Sequence, residues 1–392
     1  MLVPPRGRLA GVVRRADLYL YQTIRSSAHW LKTERAIKVP LPLGVKLRMW
    51  RRGFLSESVA LYDLTRNDPA DYLTDYQRFV RCPRINTWNG LYDHKMGLRA
   101  FLLASGFRQA ETLAYLYEGR VLADPFSPDA RSIQPAELLE RLRGEGSEYG
   151  YVVKPEDGAC GQGIFLLMYR NGEFLRQRGP DVEPFDLEQF IRDLAAKPRR
   201  AGQASNATLI ERRLVQGAFW DRLYPQSANT IRLLVLWTPG EPLPFIARAS
   251  QRIGTAHTIP TDNFTGGGIS APIALGTGVL GTGRTHPVKG QQPGRRFTHH
   301  PDTGAQLAGA VLPHWERITD AVIRAAASLP FNRMAGWDVL MDRDGQPVIL
   351  EANGLSGVDV LQIHGGLLTD ARVRRFYDSF GVLGRRRHPT VR

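Results

Sequence analysis

The chain has 392 residues, 43% of them hydrophobic, enough for one large domain or two to three smaller ones with a sizeable core. No apolar run reaches 18 residues, so no membrane-spanning helix is expected, and Cys82 and Cys160 are too isolated for a disulfide framework or a thiolate metal site, which suits a reducing cytoplasm. The net charge of +14 lies at the ends: twelve Lys/Arg against Asp17 and Glu34 put +10 on residues 1–52, seven arginines against Asp378 put +6 on 372–392, and the middle is left at −2.

A DNA-binding core would carry its charge on the folded body, so nucleic acid is not the expected partner. Basic ends suit the anionic inner face of a membrane or an acidic partner, and solvated faces are the other reading. The first residues are Arg-rich but hold no uninterrupted apolar segment of the secretory type.

Residues 8–36 and 45–60 read as helices separated by the breaker VPLPLG. DPADYLTDYQRFV (68–80) reads as a helix capped by Asp68, with Pro69 in its first turn. CPRINTWNG is a loop. LYDHKMGLRAFLLASG (91–106) is an amphipathic helix closed by Gly106 and carrying Lys95. Residues 112–122 form a strand, 135–143 a short helix and 149–155 a strand ending at Lys154. A glycine loop follows, then the strand IFLLMY, an Asn171-Gly172 turn and a further short strand. A helix over 186–196 leads to strands at 207–215, 228–237 and 244–253, to loops and short strands over 254–296, and to a helix at 313–329. Helices and strands mix without strict alternation, the mark of an α+β fold.

Five stretches carry chemistry. Gly158, Gly161 and Gly163 follow Lys154; glycine lets backbone N–H groups approach phosphate oxygens, and lysine adds a point charge. No Gly-Lys-Ser/Thr is present, and a strand follows the loop, so neither the Walker nor the Rossmann pattern applies. A plain hairpin turn is the other reading. In LIERRLVQG a buried strand runs out at Glu211, whose carboxylate can accept from an adenine amino group while the next backbone groups pair with ring nitrogens; a salt bridge to an arginine is the alternative. In ANTIRLLVL, Arg232 lies in an apolar strand and needs an anion, either a phosphate or a structural Asp/Glu. NFTGGGISAPI (263–273) is a second polar glycine loop able to cover a site.

The most telling stretch is AGWDVLMDRDGQPVILEANG. WDVLM and VILEANG read as strands joined by a turn with Asp-Gly. Antiparallel pairing brings Asp338 near Glu351, and Glu351 and Asn353 share a face. Two carboxylates and an amide oxygen suit Mg²⁺, and a buried carboxylate pair needs a cation or a proton.

In this order the features resemble the ATP-grasp superfamily over roughly 86–365, with Asp338 and Glu351-Ala352-Asn353 as the most specific part. DPADYLTDYQRF, INTWNGLYDHK and ANTIRLLVL are similar to the sugar-transfer-associated ATP-grasp group, akin to teichuronopeptide-biosynthesis and α-L-glutamate-ligase-related proteins. The resemblance implies a basic helical region over 1–85, an ATP-grasp domain over 86–375 and a basic tail over 376–392. The domain's two α+β subdomains, about 133–215 and 216–375, would grip ATP.

It further implies that Lys95 and Lys154 contact ATP phosphates under a mobile loop containing Gly158, Gly161 and Gly163. Glu211 and the Leu214 backbone would read adenine, with Asn229 also on the nucleotide. Arg232, with Lys154, would stabilise the transferred phosphoryl group. Asp338, Glu351 and Asn353 would hold one or two Mg²⁺, or Mn²⁺ in their place. Where the family places an acid for the ribose, this chain has VQGAFWD, leaving Gln216, Asp221 or neither. The implied reaction joins a small-molecule or glycan-linked carboxylate to an amine through an acyl phosphate, in cell-surface polysaccharide or peptide modification. A phosphotransferase acting on a hydroxyl, and a non-enzymatic protein binding membrane or nucleic acid through its ends, are the competing readings.

Overall fold

The computed structural model describes residue 28 and residues 32–35, 39–145, 149–156, 161–196 and 206–384. The helix expected over 8–36 and the last residues of the basic tail fall almost wholly outside them, as do Gly158 and Cys160. The described residues form two compact units: those up to Ile85 together with those from Gln362 onward, and Asn86–Leu361.

The larger unit is α+β, built of helices on two antiparallel sheets. Its helix α1 (Lys95–Ala104) buries Leu98 and Leu102. The first sheet holds β1 (Thr112–Tyr117), β2 (Arg120–Ala123), β3 (Arg131–Ile133), β4 (Tyr151–Pro155), β5 (Phe165–Arg170), β6 (Glu173–Arg178), β7 (Asp181–Pro184) and β8 (Thr208–Arg212), in the order β3-β2-β1-β8-β4-β5-β6-β7. Helices α2 (Pro135–Gly144) and α3 (Leu187–Ala196) cover it with Leu138, Leu142, Leu187, Ile191 and Leu194, an apolar stripe at helical spacing on each. Each such leucine, taken from water, contributes about 2 kcal/mol.

The second sheet holds β9 (Ile231–Leu236), β10 (Phe245–Ile253), β11 (Ile269–Pro272), β12 (Gly283–Arg284), β13 (Arg296–Phe297), β14 (Met334–Met341) and β15 (Pro347–Asn353), in the order β13-β12-β11-β10-β9-β14-β15. Every residue of β9 and β14 is buried. Between β8 and β9 lies the short α4 (Ala218–Leu223), and α5 (Trp315–Ala327) packs Ile318, Val322 and Ala325 into the core.

Several elements differ from the sequence expectation. The strand over 112–122 is a hairpin, because Glu118 and Gly119 both take positive φ (49° and 75°) and reverse the chain. Asn171 and Gly172 do the same between β5 and β6, as expected (φ 52° and 87°). The helix over 91–106 is interrupted at His94, whose extended backbone frees the start of α1 for a bond described below. The strand over 207–215 ends at Arg212, and that over 228–237 begins only at Ile231, so Asn229 and Thr230 precede it.

In the smaller unit the helix over 45–60 is two helices, Leu43–Arg51 and Ser56–Leu61, parted at Gly53 with φ +88°. Asp68 does cap the next segment, accepting from Ala70 N, but the helix stops after one turn. Leu73 is drawn out of it: its N–H and C=O both bond the Gln362 side chain, at 2.8 and 3.1 Å. No helix among the described residues is long and apolar enough to cross a membrane.

Buried Asp75 joins two segments of this unit by accepting from Leu55 N (2.8 Å) and Ser58 Oγ (2.9 Å). Burial pushes its carboxyl up from 3.8 to about 6, against the pull of those two bonds. The native state therefore holds this proton more tightly than the unfolded chain. Its contribution is fully present below about pH 4 and is lost as pH rises through about 6. The expected loss is about 3 kcal/mol. Denaturant unfolding across this pH range checks it: Asp75→Asn flattens the slope, and an unchanged slope contradicts the assignment.

Candidate active site

A cleft of about 410 Å³ opens between the two sheets of the larger unit, within the roughly 300–1,000 Å³ range of small-molecule sites. Ala110, Val152, Leu214, Leu340 and Leu350 supply apolar lining, and Lys95, Lys154, Glu211, Arg252, Asp338 and Glu351 supply charge.

On the first sheet, register explains the charges. Glu211 on β8 faces Val152 on β4 and Thr112 on β1. Lys154 lies two residues beyond Val152, so it shares a face with Glu211. Lys154 Nζ is 2.8 Å and Arg99 NH1 is 2.5 Å from the same oxygen, Glu211 Oε1. Arg99, from α1, also donates to Thr112 Oγ1. All three charges are buried. Burial lowers the Lys154 pKa, with Glu211 opposing. Burial would raise that of Glu211, but Lys154 and Arg99 hold it below the usual carboxylate value.

On the second sheet a row crosses four neighbouring strands: Ser250 on β10 faces Arg232 on β9, Arg232 faces Asp338 on β14, and Asp338 faces Glu351 on β15. Arg232 forms a two-pronged pair with Asp338, Nε to Oδ1 at 2.6 Å and NH2 to Oδ2 at 2.7 Å. Arg252, two residues from Ser250 on the same face, reaches Asp338 Oδ1 at 3.2 Å and Asp262 Oδ1 at 2.6 Å. Thr230 donates to Asp262 from N and Oγ1. Burial opposes the charge on Asp338, yet Arg232 and Arg252 hold its carboxyl well below the normal range. Burial and the neighbouring Asp338 both push Glu351 up, against Lys95 and Arg232.

This cluster sets three carboxylates, Asp262, Asp338 and Glu351, against two guanidiniums. Glu351 is the surplus negative group: burial and the Asp338 charge beside it disfavour its ionised form. A cation beside these carboxylates relieves that imbalance. Asn353 shares the face and donates to Glu351 Oε1 at 3.2 Å, which leaves its carbonyl oxygen as a donor atom for a metal. Arginine bonds fill both lone pairs of Asp338 Oδ1 and one of Oδ2, so Oδ2 keeps one. Among the described residues no three His, Cys, Asp or Glu side chains gather as a metal site. The donor set that fits is Glu351, Asn353 and one oxygen of Asp338, an oxygen-only set suited to Mg²⁺.

A third cluster ties the stem of the glycine loop to α1. Fully buried Glu156 accepts at Oε1 from Met96 N (3.1 Å) and lies 3.1 Å from His94 Nδ1, and its carbonyl accepts from Lys95 Nζ (2.9 Å). This explains the break at His94: the carboxylate caps α1 from outside the helix.

The sugar-transfer associated ATP-grasp description matches residues 91–375 of this chain. The chain belongs to that family. Three ligase structures show a fold likeness to this ATP-grasp chain. An L-amino acid ligase from Bacillus licheniformis aligns at 12% identity and TM-score 0.36, over 69% of this chain and 42% of that one. The D-alanyl-alanine synthetase A of Vibrio cholerae gives 10% and 0.40, over 75% and 66%. The VanG D-Ala:D-Ser ligase of Enterococcus faecalis gives 10% and 0.39, over 76% and 70%. This chain thus spans less than half the length of the Bacillus enzyme. A search of curated proteins gave no match.

Of the residues the ATP-grasp resemblance singled out, Lys95, Lys154, Gly161, Glu211, Leu214, Gln216, Asp338 and Glu351 line the one cleft. Asn353, beside Glu351, is not among the cleft-lining residues, and three others are placed differently. Arg232 has Asp338 as its anion, the structural alternative, and it is Arg252 that lines the cleft. Asn229 is turned inward: its Nδ2 donates to Trp220 O, Tyr224 O and Gln216 Oε1, and its Oδ1 accepts from Gly254 N. Gly163 turns at φ +78° with Pro155 so close that a Cβ would sit 2.8 Å from Pro155 Cγ; its reason is backbone geometry.

Gln216 lines the cleft, yet its amide is spent on Tyr224 O, Ser227 O and Asn229; Asp221 lines the same cleft. Sequence reasoning missed Arg99, Glu156, Arg252 and Asp262. Only Arg252 carried a readable signal, as a second arginine inside an apolar strand.

Proposed function

We propose that the cleft binds ATP with Mg²⁺ and joins a carboxylate to an amine. The carrying observation is that one cleft sets Lys95 and Lys154 against Asp338 and Glu351, a carboxylate cluster one charge short of balance. Lys95 and Lys154 meet the phosphate oxygens, Lys95 exchanging the Glu156 carbonyl for them. Leu214 N–H, which has no partner among the described residues, pairs with an adenine ring nitrogen. Glu211 keeps Oε2 for the adenine amino group while Oε1 holds its two cations.

Mg²⁺, when bound at Glu351, Asn353 and Asp338, neutralises phosphate charge. Arg232 fixes the Asp338 carboxylate, and Arg252 offers a cation at the cleft wall. A substrate carboxylate oxygen attacks the γ-phosphorus and ADP leaves. The amine nitrogen then attacks the acyl carbon, loses a proton and expels phosphate. Such chemistry needs positioning and charge cancellation more than a protein nucleophile. The substrates fit small-molecule or glycan-linked acids of cell-surface polysaccharide or peptide modification, handled at the cytoplasmic side.

Calorimetry of ATP binding with and without Mg²⁺ tests this. Glu351→Gln is expected to weaken the Mg²⁺-dependent part at least about tenfold and to spare metal-free binding. No nucleotide binding by the parent chain would sink the reading. Phosphate release that requires both an acid and an amine separates ligation from transfer to a hydroxyl.

A further inference from the structure

We propose that the exposed face of helix Leu43–Arg51 is a docking surface for an anionic lipid bilayer. Leu43 and Leu47 are 67% and 46% exposed, four residues apart, and Arg51 continues the same stripe at the next turn. Arg48 and Arg52, exposed beside it, widen the stripe. The opposite side of the helix seats Met49 in the unit's core at 3% exposure. Apolar and cationic side chains thus share the outward face.

Residues 43–52 hold Lys46, Arg48, Arg51 and Arg52 and no acid. None of these three arginine side chains has a charge or hydrogen-bond partner among the described residues. A groove adjoins the helix end, lined by Trp50, Arg51, Arg52, Tyr76 and Arg81. Tyr76 is 39% exposed. Arginine meets lipid phosphate, leucine enters the acyl boundary, and Trp and Tyr settle at the headgroup level.

Charge complementarity selects this occupant. A second copy would set the same cations against themselves, and a nucleic-acid backbone would leave the two leucines in water. One short helix with two leucines holds a bilayer weakly, so attraction to anionic lipid must supply most of the affinity, in a salt-dependent way. The surface lies in the smaller unit and does not depend on the ATP-grasp reading.

Sedimentation of the full chain with vesicles tests it, using phosphatidylcholine alone and phosphatidylcholine mixed with phosphatidylglycerol. The parent chain is expected to sediment only with the mixed vesicles and to be released by salt. Arg48→Gln with Arg51→Gln is expected to lower partitioning about 25-fold, near fivefold per arginine. Leu43→Ser with Leu47→Ser is expected to lower it several-fold, both variants melting like the parent because the side chains are exposed. A parent chain that ignores mixed vesicles overturns the proposal, as does either double variant partitioning like the parent. Self-association abolished by the leucine pair, without vesicle binding, overturns it in favour of a second copy. Nucleotide calorimetry on the same samples reads the ATP proposal separately.

Discussion

Glu211→Gln unfolds at much lower denaturant than the parent chain, with an expected loss of about 3–5 kcal/mol. Among the described residues Glu211 is the one carboxylate ion-paired to both Arg99 and Lys154, and all three are nearly free of solvent. An amide keeps the shape and removes the charge, leaving two cations buried beside a neutral group. Arginine does not deprotonate, so Lys154 sheds its proton instead, a response already favoured by its lowered pKa. Urea unfolding at neutral pH measures the loss. A change under about 1 kcal/mol would show that water reaches the triad and screens it.

Lys154→Met separates structure from function at the same triad. Removing the lysine leaves Arg99 and Glu211 as one cation facing one anion, so stability is expected to shift by less than about 1 kcal/mol. ATP-dependent turnover is expected to fall about 10²–10³-fold, the cost of deleting one aimed cation where phosphate charge develops. Nucleotide binding and unfolding measured on the same variant decide between roles. A destabilised variant with parental ATP binding makes Lys154 a structural counter-ion to Glu211 and ends its assignment to the phosphates.

The two predictions differ because Glu211 serves two cations and Lys154 serves one anion. That asymmetry was not legible in the chain. Sequence reading paired Glu211 with adenine or an unspecified arginine, and Arg99 looked like any helix-face residue in KMGLRAFLLA. The same holds for Glu156, whose link to Met96 spans 60 residues and breaks a helix that periodicity alone would run through His94.

The β14–β15 hairpin behaved otherwise. Strand period, an Asp-Gly turn and apolar flanks were enough to set Asp338 opposite Glu351, and the strands pair in that register. The β5–β6 hairpin, the helices at 135–144 and 187–196 and the strand carrying Lys154 were legible for the same reason. Each is written by neighbours a few residues apart, through turn chemistry or a repeating apolar face.

The sequence by itself determined many of the local elements, the family and eight of the residues that line the cleft, most of its buried charges among them. Tertiary structure alone decided which charges meet across strands distant in sequence: Arg232 with Asp338, Arg252 with Asp262 and Asp338, Arg99 with Glu211. The physical reason is that a buried charge demands a partner without specifying it. Burial and register choose that partner, and both arise only when the sheets form.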